Sequence, residues 1–157
     1  MCLYVDHAEV IEKPITVYVV RKIFLNTIMS PIWNFEWEIN KVYENDETMY
    51  EYLKEYGSYR QYFGEYTDIY LGEGVFHSFE NIQDAIECRR MLCGKNVGTL
   101  FNIYEAEILP SRIYTGYFKF NGKSHKSICS KNLRLIRFID VWKEGFCKTI
   151  AGGKLCV

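Results

Sequence analysis

The sequence predicts an α+β fold: a single domain with a mostly antiparallel sheet of about six or seven strands and two helices. Three observations lead to this class. The chain has 157 residues, which is the length of one ordinary domain and enough to bury a hydrophobic core. Short β-branched and aromatic runs recur between turn residues, and two segments carry helix-start signals. We expect the domain to span residues 1–142, followed by a loosely packed C-terminal tail over 143–157.

The N-terminal third supplies two predicted strands and a short helix. Residues 15–20 follow Pro14 and are apolar on both faces, which is typical of a central strand. Apolar and acidic residues alternate over residues 35–39, which predicts a half-exposed strand. Asn45 is a suitable N-cap for a short helix over residues 47–55.

The remaining strands and the main helix lie in the second half of the chain. Two glycines precede a short strand over residues 75–79, and Asn81-Ile-Gln-Asp84 resembles a capping box. We expect the helix that follows to end before Gly94, its C′ residue. Asn121-Gly122 is a strong hairpin signal. The other predicted strands cover residues 100–109, 113–120, 125–130 and 133–139.

Charge and hydropathy limit the classes of partner. The chain carries 19 Lys+Arg and 20 Asp+Glu, which gives a net charge of -1. Because the chain is nearly neutral, we expect no nucleic-acid partner. The locally basic C-terminal third leaves single-stranded nucleic acid as an alternative. No stretch reaches the roughly 20 apolar residues of a spanning helix, and the N-terminus lacks a signal-peptide pattern. We therefore expect a cytoplasmic protein without a membrane partner, whose six cysteines are free thiols and bind no metal.

Tyrosines are concentrated in the segment from Tyr50 to Tyr70. The segment follows neither a helical nor a strand period, which favours an ordered surface excursion. Tyrosine gives a large contact area at a low cost in side-chain entropy. The segment therefore predicts a contact with a protein partner, or self-association. Its tyrosines are at positions 50, 52, 56, 59, 62, 66 and 70.

Several residues could carry chemistry, and each also has an ordinary structural interpretation. His77 stands between aromatic residues just before the main helix, where an imidazole could act as acid or base or bond to the backbone. Glu105 and Glu107 point to the same face of one predicted strand, either beside a pocket or into solvent. Removal of Met1 would make Cys2 an N-terminal nucleophile, or leave a terminal thiol without a catalytic role.

Three pieces of the chain together resemble a known group of proteins. They are Met1-Cys2-Leu3, Gly74-Val-Phe-His-Ser-Phe79 and Ile103-Tyr-Glu-Ala-Glu-Ile108. The combination is similar to a family of small uncharacterised proteins of bacteria and their phages, a domain of unknown function. The resemblance implies a fold and a genomic setting. On this basis we expect a non-catalytic accessory or interaction domain.

A fainter similarity is to ADP-ribosyltransferase-like domains, which gives the alternative function. In such a domain a carboxylate stabilises the oxocarbenium-like centre formed when the bond between ribose and nicotinamide breaks. The resemblance implies NAD as the bound cofactor. It implies Arg21 and Ser78 as NAD-binding residues, and His77, Glu105 and Glu107 as catalytic residues around a common cleft.

Overall fold

The computed structural model describes residues 4–31, 35–44, 76–120, 123–150 and 153–156. These ranges contain twelve strands and one helix, α1 (Ile82–Lys95). No helix among the described residues is long and apolar enough to cross a membrane. The strands are β1 (Tyr4–Ile11), β2 (Ile15–Phe24), β3 (Thr27–Met29), β4 (Glu36–Trp37), β5 (Val42–Glu44), β6 (Phe76–Phe79), β7 (Leu100–Ile108), β8 (Ser111–Phe120), β9 (Lys123–Ser130), β10 (Asn132–Ile139), β11 (Cys147–Ile150) and β12 (Gly153–Cys156).

Ten of these strands form one sheet, and β11 and β12 form a separate hairpin. The sheet follows the order β1-β8-β9-β6-β2-β7-β10-β5, with β3 beside β2 and β4 beside β3. All strand pairs in it are antiparallel. The predicted class, an α+β domain with six or seven strands and two helices, is therefore wrong. The described chain is mostly β, and β3, β4 and β5 are too short to produce a periodic pattern in the sequence.

Helix α1 begins where the capping pattern predicts. The side chain of Asn81 accepts a hydrogen bond from the backbone N–H of Asp84 at 3.0 Å, which satisfies one of the free donors at the helix start. The helix continues past Gly94, the predicted C′ residue, and ends at Lys95. The backbone N–H of Asn96 closes the last turn by donating to the carbonyl of Leu92. The shorter helix predicted over residues 47–55 lies outside the described residues.

The sheet is buried on both faces, because two hydrophobic cores lie on opposite sides of it. On one face α1 packs against a first core that includes Val20, Phe101 and Ile103. On the other face a second core includes Val17 and Val19. The alternation of these valines along β2 explains why its sequence is apolar on both faces.

Residues 27–31 and 35–44 curve around the second core. Strand β3 pairs with β2, and β4 pairs with β3. The chain then crosses to the other side of β7, where Ile39 forms an isolated parallel bridge with Leu135 and β5 pairs with β10. This path places Trp37 in the second core, across from the buried face of β2.

The segment predicted as a loose tail contains the hairpin of β11 and β12. Cys147 is buried against the first core, and it is disulfide-bonded. The backbone register of the hairpin places Cys156 directly opposite Cys147. The expectation that all six cysteines are free thiols is therefore wrong for Cys147. Among the described residues, the free cysteines are Cys88, Cys93 and Cys129.

Candidate functional site at Arg21

Arg21 is a charged residue inside the second core. It follows Val17 and Val19 at a spacing of two, so its side chain projects from the same buried face of β2. Only 5% of the residue is exposed. Its Nη1 atom donates a hydrogen bond to the carbonyl oxygen of Val20 at 2.9 Å, whereas its buried Nε atom has no hydrogen-bond partner. A buried donor without an acceptor is costly, so this side chain is a candidate for ligand binding.

Trp37 lies against the guanidinium group of Arg21. The guanidinium carbon is 4.3 Å from the centre of the Trp37 ring, which is the geometry of a cation–π contact. Trp37 is held in place because its indole N–H donates to the hydroxyl of Ser30 at 2.9 Å. Three further rings surround the indole, with centroids within 4.7–5.2 Å of it: Phe35, Tyr43 and Phe76. The indole is thus held rigidly, and its π face is turned to the cation.

Within the described part of the chain, no carboxylate balances the charge of Arg21. Burial lowers the pKa of Arg21 to about 9, so the group remains a cation at neutral pH. No Asp or Glu among the described residues forms an ion pair with it. A buried cation without a counterion is strongly disfavoured in a structural role, and an incoming anion would relieve that cost.

Glu105 and Glu107 lie on the other face of the sheet. Glu105 pairs with Arg137 on β10 at 2.9 Å, and Arg137 also binds Glu144. Glu107 forms a salt bridge with Arg134, again on β10. Both carboxylates are partly exposed and are neutralised by arginines of the neighbouring strand. This arrangement is typical of surface ion pairs across a sheet.

The strand register separates Arg21 from these carboxylates. Tyr18 is the residue of β2 opposite Glu105, and Thr16 is opposite Glu107. Residues directly opposite each other share a face, and Arg21 is an odd number of positions from both Tyr18 and Thr16. Arg21 therefore projects from the opposite face. The structure does not bring Arg21 together with Glu105 and Glu107 around one cleft.

His77 contacts Cys129, its neighbour on β9, rather than either glutamate. The Cys129 sulfur is 3.1 Å from Nδ1 of His77, so the thiol and imidazole are within hydrogen-bonding distance. Cys129 is 0% exposed, and burial raises the pKa of its thiol far above the ordinary value. The thiol is therefore protonated at neutral pH. A nucleophilic cysteine needs the thiolate form, so this pair lacks the property that would make it catalytic.

Ser78 has a structural role between β6 and β9. It is fully buried, and its hydroxyl donates to the carbonyl of Ile128 at 3.2 Å. The hydroxyl of Ser127 donates back to the carbonyl of Ser78 at 3.0 Å. These bonds join the two strands and engage both the hydroxyl and the carbonyl of Ser78. The structure gives no support to Ser78 as an NAD-binding residue.

The predicted hairpin carries a buried histidine, His125, although the Lys-Ser-His-Lys sequence around it is typical of a surface segment. It is buried under the start of α1, where Nδ1 lies 2.8 Å from a carboxylate oxygen of Asp84. Glu87 lies 3.6 Å from its other ring nitrogen. The imidazole ties the first turn of the helix to β9. The described residues contain no group of three or more His, Cys, Asp or Glu side chains that could hold a metal ion.

Two features singled out from the sequence lie outside the described residues: Cys2 and the segment from Tyr50 to Tyr70. Trp37 is a residue of the candidate site that the sequence analysis does not single out. The alternation over residues 35–39 placed it on an apolar face, and its partner Arg21 continued the period of Val17 and Val19. Together these two patterns could have indicated a charge inside the core.

Comparison with known proteins gives no relative from which a function could be transferred. No family model matches the chain, and neither a curated protein nor a solved structure matches it. The function is therefore inferred from the residues of the site.

Proposed function

We propose that this chain is a small non-catalytic accessory or interaction domain that binds an anionic ligand at Arg21. The observation that carries the proposal is the buried guanidinium, which has an unpaired Nε and no carboxylate partner among the described residues. The cation lies on a rigid aromatic residue, Trp37. Such a site provides charge and shape for binding.

The arrangement of the other candidate residues supports binding rather than NAD chemistry. A carboxylate that stabilises an oxocarbenium centre must lie beside the ribose, close to the groups that hold the pyrophosphate. Glu105 and Glu107 are instead in salt bridges with arginines, on the face of the sheet opposite Arg21. The ADP-ribosyltransferase-like alternative therefore has no observation in its favour.

The proposal includes the origin of the protein and its location in the cell. The resemblance to small bacterial and phage proteins supports an accessory protein of that origin, and we propose a cytoplasmic location. The disulfide at Cys147 is the feature that speaks against this location, because cytosolic thiols are normally kept reduced.

A thermal-shift titration at low salt tests the proposed function. The probes are a panel of small carboxylic and phosphoric acids, NAD, and neutral amides of the same acids. We expect acids to raise the melting temperature of the wild type and of Arg112→Met, which removes an exposed arginine on β8. We expect no such rise for Arg21→Met.

A parallel incubation with NAD tests whether the domain is catalytic. We expect no release of nicotinamide above the rate in buffer. Release that depends on Glu107 would contradict the proposed function, as would a panel in which no acid stabilises the wild type.

A further inference from the structure

The guanidinium of Arg21 presents one particular pair of donors. Nη1 is occupied by the carbonyl of Val20, and Nε has no acceptor. Among the described residues, no hydrogen bond or salt bridge involves Nη2. In a guanidinium, Nε–H and Nη2–H point in parallel along one edge. This edge matches the two oxygens of a carboxylate or phosphate.

Partly exposed apolar side chains lie around Trp37, the ring that carries the guanidinium. Phe35 is 40% exposed, and its ring centroid is 5.2 Å from that of Trp37. Ile39, which forms a bridge with Leu135 of the second core, is 43% exposed. Exposed apolar side chains beside a buried cation provide a surface for a ligand that carries both an oxyanion and a flat apolar body.

We propose that the ligand is an aromatic acid, an inference that rests on the proposed function. Its carboxylate or phosphate accepts hydrogen bonds from Nε and Nη2 of Arg21. Its ring packs on the side of Trp37 where Phe35 is exposed. A small hydrophilic anion would leave this apolar surface uncovered, and it would lose its hydration without any gain from packing.

Isothermal titration calorimetry with four probes separates the parts of this proposal. Benzoate and phenyl phosphate carry the ring with either oxyanion, acetate carries the oxyanion alone, and benzamide is the neutral analogue of benzoate. For the wild type we expect benzoate or phenyl phosphate to bind at least about tenfold more tightly than acetate or benzamide. The stronger of the first two probes identifies whether the natural group is a carboxylate or a phosphate.

Three variants assign the binding to the named atoms. Arg21→Lys keeps the charge but lacks the parallel donors, so we expect at least about a tenfold loss for benzoate. Phe35→Ala should reduce binding of benzoate and leave that of acetate unchanged. Arg112→Met is the control and should bind all four probes as the wild type does.

The outcomes distinguish this inference from the proposed function. Equal binding of benzoate and benzamide would overturn the oxyanion contact. Equal binding of benzoate and acetate would overturn the aromatic body, while binding of an anion at Arg21 would still stand. Unchanged benzoate binding by Arg21→Lys would overturn the paired-donor geometry. If none of the four probes binds, both the inference and the proposed function fail.

Discussion

Replacing Arg21 by methionine should make the ligand-free protein more stable. Burial lowers the pKa of Arg21 from its ordinary value to about 9, which corresponds to a cost on the order of 5 kcal/mol for holding the charge in the folded state. The cation–π contact with Trp37 offsets roughly 1–2 kcal/mol of this cost, and the hydrogen bond to Val20 offsets about 1 kcal/mol. Methionine is long and flexible enough to occupy the same space against the indole. We expect Arg21→Met to gain roughly 2 kcal/mol in the free energy of unfolding, which raises the melting temperature by about 4–8 °C.

The stability difference between Arg21→Met and the wild type should depend on pH, in a direction set by the pKa shift of Arg21. The folded state binds the proton of Arg21 more weakly than the unfolded state does, because the folded pKa is the lower of the two. Below about pH 9 both states hold the proton, so the full cost is present at neutral pH. Above pH 9 the folded state releases its proton first. The free-energy cost of the buried charge then falls by about 1.4 kcal/mol per pH unit for as long as the unfolded state keeps its proton. The stability gap between variant and wild type should therefore narrow between pH 8 and pH 10.

Urea denaturation at pH 7, 8 and 10, followed by circular dichroism, measures both effects. Arg112→Met serves as the control, because the side chain it removes is exposed and a surface change of this kind stays within about 0.5 kcal/mol. If Arg21→Met is less stable than the wild type at pH 7, Arg21 is a structural residue and the reasoning about an uncompensated charge is wrong. A gap that stays constant from pH 8 to pH 10 would equally contradict it.

Three further predictions concern the framework around the site. Peptide mapping under non-reducing conditions should show Cys147 joined to Cys156. Reduction of this disulfide should lower the free energy of unfolding by roughly 2–3 kcal/mol. A different partner for Cys147 would contradict the pairing. Glu107→Gln should change the free energy of unfolding by less than about 1 kcal/mol, because the salt bridge between Glu107 and Arg134 is partly exposed. Urea denaturation measures this change. A larger loss of stability would mean that the ion pair is structural. His125→Asn should cost about 1–3 kcal/mol and speed amide hydrogen exchange in the first turn of α1, because the buried contact between the imidazole and the partly buried carboxylate of Asp84 is lost. Unchanged exchange would refute this.

The sequence predicted those elements that have a strong period or a cap. Strand β2 was recognised because its apolar run is flanked by Pro14, and α1 was recognised by the cap at Asn81. The ten-stranded sheet was not foreseen, because β3, β4 and β5 contain only two or three residues each. Strands β3 and β4 exist through pairing with the strand before each of them, and β5 exists through pairing with β10, which is distant in sequence.

Sequence patterns also predict only part of the candidate site. The period of β2 is sufficient to place Arg21 on a buried face, but only the pairing of β4 with β3 brings Trp37 against it. The role of Glu107 depends on Arg134, which becomes its neighbour through the pairing of β7 with β10. A local pattern gives the side on which a residue lies, whereas its partner follows from tertiary packing.

The reactivity of Cys129 tests the proposal that the domain is non-catalytic. Its thiol contacts His77 at 3.1 Å, the distance expected for a nucleophile and its base, yet burial raises the pKa of the thiol well above the ordinary value. Cys93 is a free cysteine with partial exposure and serves as the internal comparison. With iodoacetamide at pH 7 under native conditions, we expect alkylation of Cys93 before that of Cys129, because the thiolate is the reactive form and reaction at Cys129 requires opening of the sheet. Mass spectrometry of the digested protein over time gives both rates. Faster alkylation of Cys129, abolished by His77→Ala, would show that the imidazole activates the thiol, and the chain would then have to be regarded as a cysteine-dependent enzyme.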